Sequence, residues 1–197
     1  MMNMRKLNRD DLYSLEQYAG VRDEFRGEVL LHKRNRRLEL GSNAALYFED
    51  RMTMQYQIQE MLRIERIFEA AGIDEELEAY NPLIPDGSNW KATFMMEIPD
   101  VEERRVMLGQ LVDIEHRVYV QVGDMEKSFA VADEDLERSD EKKTSAVHFL
   151  RFELNDEMVA ALKDGAQLAA GIDHKNYQAE ASPVAENIRR SLLGDLD

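Results

Sequence analysis

The sequence contains no cysteine among its 197 residues. Disulfides, thiolate nucleophiles, iron–sulfur clusters ligated by this chain and cysteine-based zinc sites are therefore excluded. Long apolar runs are also missing, because no stretch approaches the roughly 20 apolar residues that a membrane-spanning helix needs. The first residues include charged side chains almost at once and form no apolar core of a secretory signal. We therefore expect a cytoplasmic protein that does not associate with a membrane.

Positive charge is scarce, because the sequence has 25 lysines and arginines against 40 acidic residues, which gives a net charge of −15. Such a field repels phosphate backbones, so we expect no nucleic-acid binding. One local exception is the basic run at 32–37. Its side chains Lys33, Arg34, Arg36 and Arg37 are candidates for docking onto an acidic protein partner. Basic residues are also favourable at the carboxyl end of a helix, so an exposed helix end is the alternative interpretation.

The composition is that of an ordinary globular protein, with 44% apolar and 33% charged residues. Helical spacing predicts N-terminal helices over about 8–34, a long helix over about 51–71 and a C-terminal helix over about 182–195. Alternating apolar residues predict a strand-rich half over about 88–175. Hairpins mixed with helices, without regular strand–helix–strand alternation, predict a single α+β domain over 1–197. We expect a largely antiparallel sheet packed against the long central helix and the N- and C-terminal helices.

Two glutamates occupy positions of the long helix where apolar side chains are expected. At 100° per residue, Glu65 falls in a stripe with Ile58 and Phe68, and Glu60 falls in a stripe with Ile64. A buried carboxylate is costly unless a cation, a proton or a metal compensates it. Both glutamates therefore fit either internal ion pairs or a buried metal or acid–base site. The arginines considered as partners are Arg63, Arg66, Arg104, Arg105 and Arg151.

Three of the four histidines lie on predicted strands and share a face with apolar neighbours. They are His116, His148 and His174, and each also fits a hydrogen-bonded core residue. Together with the glutamates they suggest a site for iron, manganese or zinc, whose predicted ligands are Glu60, Glu65, His148 and His174. The ligand spacings of di-iron helix bundles and of zinc proteases are absent from the sequence.

The connection at 81–90 is rich in proline, glycine and asparagine. A connection of this kind can form an ordered lid over a ligand pocket. The predicted contacts are Tyr80, Asn81, Asp86, Asn89 and Trp90. The alternative is a rigid connector in which prolines and asparagines only set the turns. No nucleotide-binding or hydrolase motif is present, so no catalytic residue is assigned.

Four runs resemble a known family: "LYFEDRMTMQYQIQEMLRIERIF", "AYNPLIPDGSNWKATFM", "KTSAVHFLRFEL" and "GIDH". They are similar to the uncharacterised bacterial family catalogued as domain of unknown function 3501, over nearly the whole chain. The resemblance implies no established activity and no catalytic residues. It implies a redox or oxidative-stress setting by association, because members are often encoded beside rubrerythrin-like di-iron proteins and iron–sulfur oxidoreductase-like proteins.

Three functions are compatible with these observations. The first is a non-catalytic accessory protein that docks on a redox protein partner through its acidic surface or the basic run. The second is a small metal-binding protein or metalloenzyme with His and carboxylate ligands. The third is a small-ligand-binding module with the 81–90 connection as lid. The lack of a catalytic motif favours the first.

Overall fold

A computed structural model describes residues 5–140 and 142–197 of the chain. Its helices are α1 (Leu15–Lys33), α2 (Arg51–Glu65), α3 (Ala70–Tyr80), α4 (Val101–Gln110), α5 (Asp156–Lys163) and α6 (Glu186–Leu193). Its strands are β1 (Arg37–Glu39), β2 (Ala44–Glu49), β3 (Asn89–Met96), β4 (Val118–Val122), β5 (Ser128–Phe129), β6 (Val131–Ala132), β7 (Val147–Glu153), β8 (Leu168–His174) and β9 (Tyr177–Ala181). Each pair of these strands is antiparallel, and the predicted α+β class is confirmed. The predicted span of 1–197 includes residues 1–4 and 141, which lie outside the described residues.

The first three helices form a layer with an apolar core of its own. Ser14 caps α1 and Asp50 caps α2, where the Asp50 carboxylate accepts a hydrogen bond from the Thr53 backbone N–H at 2.9 Å. The buried residues of this core are Leu7, Met54, Ile58, Leu62, Leu77 and Ile84. The apolar stripe of α2 therefore packs mainly within the helical layer.

The long helix is shorter than predicted, because it ends at Glu65 instead of near residue 71. Arg66 adopts the left-handed conformation with φ 57°, and its N–H bonds to the carbonyl of Leu62. This is a common way to end a helix, although glycine usually takes the position. Conversely, the two helices expected over 8–34 are largely one, because α1 continues through Gly20.

The larger sheet has five strands in the order β1-β2-β3-β7-β6. Because side chains alternate along a strand, one face is buried and the other is half-buried. The buried face carries Phe48, Trp90, Phe94, Leu150 and Phe152. In the register of the two central strands, Phe94 lies opposite His148.

The smaller sheet has four strands in the order β5-β4-β8-β9. Its side chains Val118, Val120 and Ile172 share one apolar core with the buried face of the larger sheet. The sequence predicts a single sheet, whereas the structure distributes the strands over two sheets. A turn at Gly123-Asp124 joins β4 to β5, and β9 lies beyond the predicted strand-rich half.

One short segment belongs to both sheets. Ser128 and Phe129 pair with β4 of the smaller sheet, and Val131 and Ala132 pair with β7 of the larger sheet. The chain therefore crosses from the smaller to the larger sheet at Ala130, and Asp133 follows directly after the second of these strands.

The C-terminal segment closes the shared core. Helix α6 begins at Glu186 rather than near residue 182. The indole N–H of Trp90 donates to the carbonyl of Leu192 at 3.0 Å, and Asp195 pairs with Arg36 at 2.5 Å. Across the described ranges, none of the helices combines the length and apolar character required to cross a membrane.

Candidate functional site

Glu60 is held in an ion pair. Arg22 donates to both carboxylate oxygens, at 2.7 and 2.8 Å, and the hydroxyl of Tyr18 donates at 2.8 Å. Arg63 adds a contact at 3.3 Å. The pKa of Glu60 is lowered to about 2, chiefly by the Arg22 hydrogen bonds and less by those of Tyr18 and Arg63, against the opposing effect of burial. Arg63 is one of the predicted partners, but Arg22, on the facing helix, makes the main contact.

Glu65 is exposed, which corrects the prediction that it faces the core. It is the last residue of α2, and the left-handed Arg66 turns the chain before another helical turn can cover it. Phe68, placed in the same predicted stripe, is 73% exposed. The stripe is therefore buried only near the middle of the helix, and Glu65 is not available for an internal metal site.

The other predicted histidines are also separate from the glutamates. His174 is buried at the end of β8, where its Nε2 lies 3.1 Å from the carbonyl oxygen of Val112. Its Nδ1 accepts from the backbone N–H of Asn176 at 3.2 Å. His116 is exposed in a short 3-10 turn before β4. The predicted set of Glu60, Glu65, His148 and His174 is therefore not brought together.

His148 is fully buried on the predicted face of β7. Its ring stacks on Phe94 of β3, with 6.3 Å between the ring centroids. This packing fixes the plane of the imidazole between the two sheets. Both ring nitrogens point to polar groups that come from other segments.

Two carboxylates approach the imidazole of His148. Asp133, which follows β6, places Oδ2 2.6 Å from Nδ1. Glu115, in the turn before β4, places Oε2 3.8 Å from Nε2. The side chains of Asp133 and Glu115 are only 7% and 4% exposed. Together the three residues offer potential metal-ligand atoms within 4.8 Å of one another, the single group of this kind among the residues that the structure describes.

Hydroxyl and carbonyl oxygens surround the Nε2 side of His148. Thr144 Oγ1 lies 2.8 Å from Nε2 and donates to Glu115 Oε2 at 3.1 Å. The Ser139 hydroxyl donates to the other oxygen of Glu115 and lies 2.9 Å from Thr144 Oγ1. The carbonyl oxygen of Ser145 lies 3.1 Å from Nε2. One nitrogen donor and several oxygen donors therefore converge at this point.

Asp133 is fixed from several directions. Its Oδ1 accepts from the Phe149 backbone N–H at 3.0 Å and from Arg138 at 3.2 Å. The Arg138 guanidinium also lies over the Phe149 ring, 4.6 Å from its centroid. The backbone of Asp133 has φ 51°, an uncommon conformation for a residue other than glycine. These contacts hold the carboxylate against Nδ1 of His148.

A cleft of about 810 Å³ lies beside the cluster. Glu115, Asp133 and Ser139 contribute to its wall, together with the exposed side chains of Glu137 and Asp140. The buried cluster therefore borders a polar space from which an ion or a small polar molecule can approach.

The sequence gives part of this site. The period-two alternation of β7 identifies His148, but Glu115 and Asp133 carry no distinguishing local pattern. Asp133 is the first residue of the charged stretch at 133–144, whose composition predicts a solvated loop. Glu115 lies just before a predicted strand. The Asp-x-x-x-x-Arg spacing of Asp133 and Arg138 is the one sequence feature that could indicate their ion pair, and it is a weak indication.

The 81–90 connection is held by hydrogen bonds within itself and to distant segments of the chain. Asn81 bonds the backbone N–H and carbonyl of Leu7, at 2.8 and 2.9 Å, and Asp86 caps the turn at Ser88. Asn89 and Trp90 are buried. Four of the five predicted contacts therefore fix the connection itself. Tyr80 differs, because it lines two cavities between the helical layer and the larger sheet.

The basic run at 32–37 is not a continuous surface. Arg36 is 1% exposed and bonds the carbonyls of Phe48 and Glu49, each at 3.0 Å, as well as Asp195. Arg37 pairs with two acidic side chains and Lys33 lies over the ring of Tyr56. Arg34 is exposed. The predicted docking patch is corrected accordingly, since Arg36 cannot meet a partner.

Comparison with known proteins decides the family. The profile of the family described as "Protein of unknown function (DUF3501)" matches residues 6–196. The chain belongs to the DUF3501 family. A crystal structure of a novel protein of unknown function from Burkholderia pseudomallei K96243 resembles it with 50% sequence identity and a TM-score of 0.93. The similarity covers 98% of this chain and 100% of that one. The curated proteins contain no match.

The DUF3501 fold is thus shared by a second, solved protein over its full length. Neither the description of the family nor that of the solved protein states a function. The chemistry of this chain has to be inferred from its own side chains.

Proposed function

We propose that the protein binds a divalent transition-metal ion at the cluster of Glu115, Asp133 and His148. The observation that carries the proposal is the burial of one imidazole and two carboxylates within 4.8 Å beside a polar cleft. Two neighbouring buried carboxylates are expensive to hold, and an ion of charge +2 compensates them. Imidazole and carboxylate are also ligands that iron, manganese and zinc accept.

The three side chains have different roles in this proposal. The carboxylate of Asp133 accepts from Nδ1–H of His148, which leaves Nε2 as the ligating nitrogen. Glu115 Oε2, 3.8 Å away, lies at a separation that an ion about 2.1 Å from each atom can bridge. The Thr144 hydroxyl and the Ser145 carbonyl supply nearby oxygens. Asp133 is therefore a positioning residue, and His148 and Glu115 are the direct ligands.

The donor set favours particular metals. One nitrogen and several oxygens, without any sulfur, suit manganese(II) and iron(II) better than the softer copper(I). Zinc also accepts imidazole and carboxylate, so it belongs in the comparison. The proposal keeps the three metals expected from the sequence but moves the site to other carboxylates.

We propose further that this metal-binding protein acts as an accessory protein in a redox or oxidative-stress setting. The resemblance to the family supports the setting, through the redox proteins that its members accompany. The net charge of −15 supports a partner with a basic surface. The basic run does not support docking, because its arginine at position 36 is buried.

The test is metal titration of untagged, chelator-treated protein with manganese(II), iron(II) under anaerobic conditions and zinc(II). We expect one ion per chain, and Glu115→Gln should weaken binding about 100-fold, with Asp133→Asn weakening it about 10- to 100-fold. Metal at 100 times its dissociation constant should raise the melting temperature by roughly 5–10 °C.

Glu137→Gln is the matched control, because this exposed carboxylate lines the same cleft without touching His148. It should bind metal as the unaltered protein does. Circular dichroism of each variant establishes that the fold is retained. Failure of all three metals to bind with unit stoichiometry, or equal binding by Glu115→Gln and Glu137→Gln, would refute the metal site.

A further inference from the structure

Cavities lie between the helical layer and the outer face of the larger sheet. Two cavities of about 550 and 450 Å³ adjoin there. They share the side chains of Tyr80, Leu83 and Phe149 as a common wall. The volume of each cavity is typical of small-molecule sites.

The walls of the larger cavity are mainly apolar. Ala79, Tyr80, Pro82 and Leu83 come from the helical side, and Phe149 comes from β7. Such a lining removes apolar ligand surface from water at about 25 cal/mol per Å². The ligand therefore needs an apolar body.

One unpaired cation faces this cavity. Lys91 of β3 lies on the half-buried face of the sheet, and no hydrogen bond or ion pair engages its ammonium among the described residues. The neighbouring Arg151 is already bound by Glu134 and Glu153. Burial lowers the pKa of Lys91, as does the positive charge of Arg151, whereas the carboxylates of Glu134, Asp86 and Glu153 act in the opposite direction.

The remaining charged side chains of the lining lie at its edge. Glu78 and Asp135 are exposed, and Asp135 pairs with Arg138 at 2.6 Å. Glu134 is occupied by Arg151. Lys91 is therefore the cation of the lining with which a ligand can pair directly.

We propose that this space binds an apolar carboxylate, such as a medium-length acyl chain, with its carboxylate on Lys91. The chain lies along Tyr80, Leu83 and Phe149 and extends toward the second cavity. An ammonium ion in a partly dry site gains a charge-assisted hydrogen bond from such a ligand. The site shares no residue with the proposed metal cluster, so either proposal stands without the other.

The experiment is calorimetric titration of the full chain with decanoate and decylamine, each below its critical micelle concentration, and with 1-decanol below its solubility limit. Decanoate should bind at one site per chain and more tightly than decylamine. Lys91→Met should weaken decanoate about tenfold or more and leave 1-decanol unchanged, because it removes the charge and keeps an apolar side chain. Lys175→Met, at an exposed lysine of the β8–β9 turn, should bind as the unaltered protein does.

A second variant tests the location. Ala79→Trp places a large side chain in the cavity from an exposed helix position, so it should retain the fold and block both decanoate and 1-decanol. The proposal is overturned if decanoate does not bind at a saturable site. Equal losses of decanoate and 1-decanol in Lys91→Met, or undiminished binding in Ala79→Trp, also overturn it.

Discussion

Glu60 and Glu65 lie on the same helix and have opposite environments. The side chain of Glu60 is 14% exposed and receives hydrogen bonds from three neighbours, whereas Glu65 projects into solvent. Apolar periodicity places both toward the interior, since it assumes that the helix continues and that its partners are apolar. The tyrosine and arginine that α1 presents to Glu60 satisfy its charge locally.

Glu60→Gln should lower the free energy of unfolding at pH 7 by about 1–2 kcal/mol, a value discounted because the pair is partly exposed. The folded pKa is depressed from 4.5 to about 2. The carboxylate therefore stabilises the protein above pH 4.5, and this contribution falls as the pH decreases toward 2. Urea denaturation of both proteins at pH 7 and pH 3.5 should show the difference narrowing.

Glu65→Gln serves as the control for this measurement. Because Glu65 is exposed, its substitution should change the free energy of unfolding by less than about 0.5 kcal/mol at either pH. A Glu60→Gln effect that is as small as the Glu65→Gln effect would show that the Arg22 pair contributes nothing.

At the scale of elements, the end of α2 decides which side chains are buried. Arg66 takes a left-handed conformation that costs an L-residue about 1 kcal/mol or more. Nothing in the residues 63–67 marks this turn, because the glycine that commonly does so stands later, at position 72. The helix therefore stops before its predicted end.

Arg66→Gly should stabilise the protein relative to Arg66→Ala by about 1 kcal/mol. Both substitutions remove the guanidinium, but only glycine adopts φ 57° without strain from a Cβ atom. Thermal and urea denaturation of the pair measure the difference. An alanine variant at least as stable as the glycine variant would contradict the conformation assigned to this turn.

Elements with strong local signals are predictable from the sequence, and those set by tertiary contacts are not. Asp100 caps α4 and Gly123 turns the β4–β5 hairpin, as their residue types indicate. Strand β9 does alternate, with Tyr177, Ala179 and Ala181 against the core, but it is short, its alanines are weak strand formers and it lies at the edge of its sheet. Likewise, Glu115 and Asp133 meet His148 only because the chain crosses between the sheets at Ala130.

At the scale of the molecule, Arg36 connects distant parts of the chain. Its guanidinium lies between the capping residue Asp50, at 3.4 Å, and the C-terminal Asp195, at 2.5 Å. It also bonds backbone carbonyls at the end of β2. A residue predicted from its neighbours to be a surface cation is therefore a buried link between the first hairpin and the C-terminal segment.

Arg36→Met should lower the free energy of unfolding by about 3–5 kcal/mol, because Asp195 then loses its buried cation and Asp50 keeps only His32. Arg34→Met, two positions away and exposed, should change it by less than about 0.5 kcal/mol. Urea denaturation at pH 7 gives both values. Adding Asp195→Asn to Arg36→Met should recover part of the loss, and similar small effects of the two arginine substitutions would contradict this network.

The crossing of the chain between the two sheets at Ala130 has a consequence for a metal ion bound nearby. His148 belongs to the larger sheet, Glu115 leads into the smaller sheet, and Asp133 follows directly on the segment that crosses from one sheet to the other. An ion held by Glu115 and His148 would therefore link the two sheets. A shift of one sheet relative to the other would separate the two ligands, so the affinity for metal would depend on the alignment of the sheets.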